Sequence, residues 1–168
     1  VEFSPSHLPR RHMSDLLRAT DISDDGKWLL SSCGGKAVRL WDLSGQTWHK
    51  EITLRGYPCC ISFLPNSTQF LVDAGTTLYL YSLPTLELQL SIKTKYSYVP
   101  SLAFSPDNRL LARTDRSTTV RIYELASGRE LTALSLKRGR LTSVAFSPDG
   151  AMVAVGTHEG KVVVWDVE

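Results

Sequence analysis

Cysteine is scarce in this chain: Cys33, Cys59 and Cys60 make an odd set of three among 168 residues, and a strand would point the adjacent pair to opposite faces. A disulfide framework does not fit such a set. The three read as small buried hydrophobes of a reducing compartment, with the cytoplasm as the expected location. Long apolar runs are missing, and the opening Val1-Glu2-Phe3-Ser4-Pro5 lacks the charged-then-apolar pattern of a secretory signal. Neither membrane insertion nor secretion is expected. An excess of one charge is missing too, since a net charge of +2 is too small to announce a nucleic-acid or membrane protein.

The motifs of common chemistry are also absent. Gly35-Lys36 has no glycine four residues earlier and opens no helix, so it cannot be a phosphate-binding loop. No Gly-x-Ser-x-Gly elbow occurs, which leaves the serines as turn and strand residues. His7, His12, His49 and His158 lie in different segments without the paired spacing of zinc ligands. The carboxylates recur singly at turns and do not form facing pairs, and Asn66-Ser67-Thr68 reads as a polar turn. No catalytic residue, cofactor or metal is expected.

What the chain does contain is one pattern written four times. Leu17 to Gly26, Cys60 to Asn66, Leu102 to Asn108 and Leu141 to Gly150 superpose, with Ser23, Leu64, Ser105 and Ser147 as equivalent turn residues at steps of 41, 41 and 42. A second landmark gives the same period: Trp41, Tyr81, Tyr123 and Trp165 recur at steps of 40, 42 and 42. Between the landmarks lie short β-rich runs, such as Ala37 to Trp41 and Val162 to Trp165, separated by Gly, Asn, Asp and Pro turns. The expected fold is all-β, a propeller of four antiparallel four-stranded blades, with first strands near Thr20, Ile61, Leu102 and Val144.

Phe146-Ser147-Pro148-Asp149-Gly150 followed by Val162-Val163-Val164-Trp165-Asp166, together with Trp41-Asp42, resembles the WD-repeat family over roughly residues 12 to 168. Tyr81-Ser82 and Tyr123-Glu124 are looser versions of the Trp-Asp pair. The clean Ser-Pro-Asp-Gly turns resemble those of bacterial propellers. The resemblance also implies a hydrogen-bonded tetrad of His, Ser or Thr, Asp and Trp, from which this chain departs. Three residues before Val38, Leu78, Val120 and Val162, where the Asp should stand, are Gly35, Gly75, Ser117 and Glu159. The blades are therefore expected to rely mainly on apolar packing.

The expected blades are residues 16–56, 57–95, 96–138 and 139–168, with 1–15 as an N-terminal segment whose Val1 to Ser4 could close the last sheet. Because members of the family usually have more blades and the chain begins without Met, the expectation is an incomplete ring within a larger protein, self-associating through open blade edges.

For function, the pattern points to a non-catalytic scaffold for protein–protein interaction. Two alternatives stay open: a propeller enzyme of lactonase or oxidoreductase type, and a sensory or targeting domain attached to a kinase or protease. Strand order places the loops joining second to third and fourth to next first strands on one face, here termed the upper face. Its candidate protein-binding residues are Lys36, Tyr57, Lys95, Tyr96, Tyr98, Arg116, Arg138, Arg140 and His158, with Arg55 and Lys137 beside them, against the acids Asp73, Asp115 and Glu159. The opposite rim gathers Asp24, Asp25, Glu87, Asp107, Glu130 and Asp149. Such polarity favours acidic protein segments as partners, ahead of nucleic acid.

Overall fold

A chain that returns to the same turn every forty-odd residues can pair each strand with the next one in sequence. The computed structural model describes residues 19–32, 35–45, 47–65, 68–95, 101–115 and 118–167, with 47–49 described by their backbone alone. Blade 1 contains β1 (Ala19–Ile22), β2 (Trp28–Ser32), β3 (Ala37–Asp42) and β4 (Thr47–Thr53). Blade 2 contains β5 (Cys60–Phe63), β6 (Gln69–Asp73), β7 (Thr77–Ser82) and β8 (Leu88–Lys93). Blade 3 contains β9 (Leu102–Phe104), β10 (Leu110–Thr114), β11 (Thr119–Glu124) and β12 (Glu130–Ser135). Among the described residues blade 4 contains three strands, β13 (Leu141–Phe146), β14 (Met152–Thr157) and β15 (Val162–Asp166). All pairings are antiparallel and no helix occurs among the described residues, so the fold is all-β, an unclosed part of a β-propeller.

The turn between first and second strands is dictated by its own residues. The hydroxyls of Ser23, Ser105 and Ser147 donate to the carboxylates of Asp25, Asp107 and Asp149 at 2.6, 2.5 and 2.5 Å. Each carboxylate also accepts a backbone N–H two residues on, from Lys27, Arg109 and Ala151. These bonds, the serine hydroxyl first, hold all three carboxyls below their ordinary value of 3.8. The turn closes at a residue with positive φ, Gly26 at 69° and Gly150 at 76°. Asn108 takes the same place at 59°, asparagine being one of the few side chains that tolerate it.

Alternation along the strands sends one row of side chains to each neighbouring blade. Leu30, Val38 and Leu40 of blade 1 pack on Phe63, Phe70, Val72 and Tyr81 of blade 2. Leu71, Leu78, Leu80 and Ile92 of blade 2 meet Leu111 and Tyr123 of blade 3. Ala112, Val120 and Ile122 of blade 3 meet Val144, Val153 and Val155 of blade 4. Tyr81 and Tyr123 are buried and Trp165 packs against the third cluster, in keeping with their recurrence as scaffold positions. Ile61 and Val144 of the first strands lie buried within these clusters.

Two features depart from the expected packing. Part of the tetrad survives in blade 1, where the Trp41 indole N–H donates to the Ser31 hydroxyl at 2.8 Å. The seam between blades 2 and 3 also contains buried charge. Arg113 and Asp73, of adjacent repeats, meet at 2.7 Å with both side chains fully shielded from solvent. The segment Val1 to Ser4, offered as a closing strand, and His12 fall outside the described residues.

Candidate functional site

The upper face is assembled by backbone hydrogen bonds between neighbouring loops. Leu54 N donates to Lys36 O at 2.7 Å, Thr94 N to Thr76 O at 2.9 Å, Leu136 N to Thr118 O at 2.8 Å, and His158 N to Arg140 O at 2.9 Å. In every blade the loop after the second strand is thus tied to the segment beside the fourth strand or leading into the first. Lys36 stands beside the Arg55-Gly56-Tyr57 loop, with its ammonium 5.4 Å from the Tyr57 ring centroid. Tyr57 is itself 56% exposed.

Lys36, Arg55, Lys95, Lys137, Arg138, Arg140 and His158 all lie exposed in these loops. Tyr96, Tyr98 and Arg116 fall outside the described residues. The acids behave otherwise than the sequence suggests. Asp73 and Asp115 are fully buried, so two of the three acids assigned to this face contribute no surface charge of their own. Glu159 stays exposed, 3.6 Å from Lys161.

Both buried acids are held by arginines of blade 3. Asp73 accepts Arg113 Nε on Oδ2 at 2.7 Å and Gly75 N on Oδ1 at 2.8 Å, while Arg113 Nη2 donates to Gly75 O at 2.7 Å. Burial pushes the Asp73 carboxyl above its ordinary value, and Arg113 opposes that shift. Asp115 lies 3.5 Å from Arg121, whose Nη1 also donates to Glu130 at 2.8 Å. Looking three residues before the third strand for an acid misses both: Asp73 and Asp115 stand five residues before Leu78 and Val120. The signal that could have found the pair is an arginine inside the apolar run Leu110-Leu111-Ala112-Arg113-Thr114, where the equivalent residues of neighbouring blades are Val72 and Val155.

On the opposite face the acidic rim is partly committed to structure. Asp25, Asp107 and Asp149 cap their turns and Glu130 binds Arg121. An open hollow of about 320 Å³ lies between the first strands, lined by Asp21, Asp24, Ser62, Phe63, Leu102 and Phe104 among others. Asp21 is occupied there, accepting Phe63 N at 2.7 Å and the Ser62 hydroxyl at 3.0 Å across the seam between blades 1 and 2. Among the described residues no three His, Cys, Asp or Glu side chains converge as metal ligands would. Burial pushes the Cys60 thiol up to about 11, away from the thiolate that a nucleophile requires.

Residues 8–168 match the family model described as Nucleolar protein 10-like, N-terminal domain. Among curated proteins, ribosome biogenesis protein bop1-B of Xenopus laevis is 37% identical over 60 residues, which is 36% of this chain and 8% of that protein. The chain therefore matches only a small part of the length of that relative. These findings correct the expected cytoplasmic location, since they point to the nucleolus. Scarce cysteine fits a reducing compartment, and cytoplasm and nucleus are both reducing, so that feature cannot separate them. The likeness of the turns to those of bacterial propellers finds no support in them.

Proposed function

The chain belongs to the Nucleolar protein 10-like N-terminal domain family, and on that premise we propose that it is a non-catalytic scaffold in ribosome biogenesis, whose upper face holds acidic segments of partner proteins. The observation that carries this reading is the separation of charge on that face. Lys36, Arg55, Lys95, Lys137, Arg138 and Arg140 are exposed, whereas Asp73 and Asp115 are withdrawn into ion pairs beneath them. A surface so arranged raises the encounter rate with acidic partners and disfavours basic ones. Tyr57 and the arginines are of the types that dominate binding energy at interfaces. Tyr96, Tyr98 and Arg116 belong to the same loops by sequence and extend the proposed surface.

The test uses a fluorescently labelled peptide rich in Asp and Glu. Wild-type protein should bind it, and Arg138→Glu with Arg140→Glu should weaken binding about tenfold or more with an unchanged melting temperature, because both side chains are exposed. Equal affinity of variant and wild type would remove the upper face from the reading. Far tighter binding of single-stranded RNA than of the peptide would replace the protein partner by a nucleic acid.

A further inference from the structure

The loop joining blade 1 to blade 2 is held at both ends and in its middle. Leu54 N donates to Lys36 O and Cys59 N to Asp73 O, each at 2.7 Å, so residues 55–58 run from an amide tied within blade 1 to one tied within blade 2. At Gly56 the chain lies so close to the β6–β7 loop that a Cβ would come within 2.7 Å of the Ala74 carbonyl oxygen and 3.3 Å of the Ala74 Cβ. Only glycine fits there without a shift. Pro58 is buried, with its φ fixed by the ring. The side chains this loop presents to solvent are Arg55 and Tyr57.

Cations flank the loop on both sides. The Lys36 ammonium lies 5.4 Å from the Tyr57 ring centroid, within cation–π reach. On the other side Gly75 O accepts the Thr94 hydroxyl at 3.0 Å and Thr94 N donates to Thr76 O at 2.9 Å, which sets the exposed Lys95 beside the β6–β7 loop on which Gly56 rests. Asp73, the acid at the base of that loop, faces Arg113 in the interior and lends Lys36, Arg55 and Lys95 no surface charge. Of the described aromatic side chains Tyr57 alone is exposed, at 56%. A lone exposed aromatic is ordinary by itself. Its fixed backbone and its cations give it a use: a ring ordered beforehand loses little freedom on binding, and the ammonium beside it can hold a carboxylate next to whatever packs on the ring.

We propose that Tyr57 with Lys36 is the point of the upper face that selects its partner, and that the acidic segment it takes carries an aromatic residue next to a carboxylate. This rests on the upper-face reading above and names the partner more closely. The carboxylate pairs with Lys36 or Arg55, and the neighbouring aromatic ring packs on Tyr57 in an offset or edge-on arrangement. Single-stranded nucleic acid fits less well, because its binders stack successive bases on several aromatic side chains and one exposed ring is described here.

Two fluorescently labelled peptides of equal net charge test this, one made of Glu and Gly and the other with a Phe placed between Glu residues. Wild type should bind the Phe peptide about tenfold more tightly, the scale of one aromatic anchor at an interface. Tyr57→Ala should erase that preference and leave the affinity for the Phe-free peptide as in wild type, while Tyr57→Phe should keep the preference. Both variants alter an exposed ring, so their melting temperatures should match that of wild type. Lys36→Gln should weaken both peptides. Three results would overturn the proposal: equal affinity of wild type for the two peptides, a preference that survives Tyr57→Ala, or Tyr57-dependent binding of single-stranded RNA tighter than that of the Phe peptide. Arg138→Glu with Arg140→Glu separates the two readings. If that double change weakens the Phe-free peptide and wild type shows no preference for Phe, the upper-face reading stands and this proposal falls; if wild type binds neither peptide, both fall.

Discussion

Replacing Arg113 with Met leaves the Asp73 carboxylate fully buried with the Gly75 N–H as its remaining donor among the bonds described above. Removing one partner of a buried ion pair costs about 3–5 kcal/mol, because the other charge stays desolvated without compensation. For a chain of this size that corresponds to a melting temperature lower by roughly 6–20 °C. The double change Asp73→Leu with Arg113→Met removes both charges, and it should recover most of the loss because apolar residues of similar volume often replace buried pairs at little cost. The sign of the pH dependence follows. Without Arg113, burial is opposed by the Gly75 N–H and no longer by the guanidinium, so the folded pKa of Asp73 rises further above its ordinary value of 3.8. The folded state then binds the proton more tightly, so the deficit relative to wild type should be small below about pH 4 and grow as pH rises towards the folded pKa. Urea unfolding followed by circular dichroism measures each step. A loss below about 1 kcal/mol for Arg113→Met, or no recovery in the double variant, would refute the reasoning.

Gly56→Ala should destabilise by roughly 1–3 kcal/mol in the same assay, since its Cβ would meet the Ala74 carbonyl oxygen at 2.7 Å. Trp165→Ala should cost about 3 kcal/mol, the low end for a large aromatic because the side chain is only partly buried against the third cluster. The turn carboxylates Asp25, Asp107 and Asp149 have folded values below 3.8, so their stabilisation is present above that pH and is lost as pH falls through the folded values. Thermal melts from about pH 5 downward should show this as a falling melting temperature, and Asp149→Ala should lessen the fall.

Strand positions were legible because they depend on neighbours in sequence. In the turns of blades 1, 3 and 4 the Ser bonds to the Asp and to the following Gly or Asn within five residues, and the aromatic landmarks stand beside the local irregularity in the pairing of third and fourth strands. The Asp73–Arg113 pair is half legible: Arg113 inside an apolar run marks one partner, but the other stands 40 residues away and no local pattern joins the two. The burial of Asp73 and Asp115 escaped for the same reason: position in a loop suggested exposure, and only the neighbouring blade reverses it. The bond of Trp41 to Ser31 joins two residues of one repeat and is legible once half a tetrad is allowed to stand without its Asp. Location within the cell left no physical trace in the residues considered and came from similarity to known proteins.

If partners sit on the upper face, hydrogen exchange with and without the acidic peptide will register the contact in its loops. Amides of the loops around Lys36, Tyr57, Arg138 and His158 should gain protection on binding, while those of the turns at Asp25, Asp107 and Asp149 should not change. Protection confined to those turns, or to the outer strands β4, β8 and β12, would contradict it.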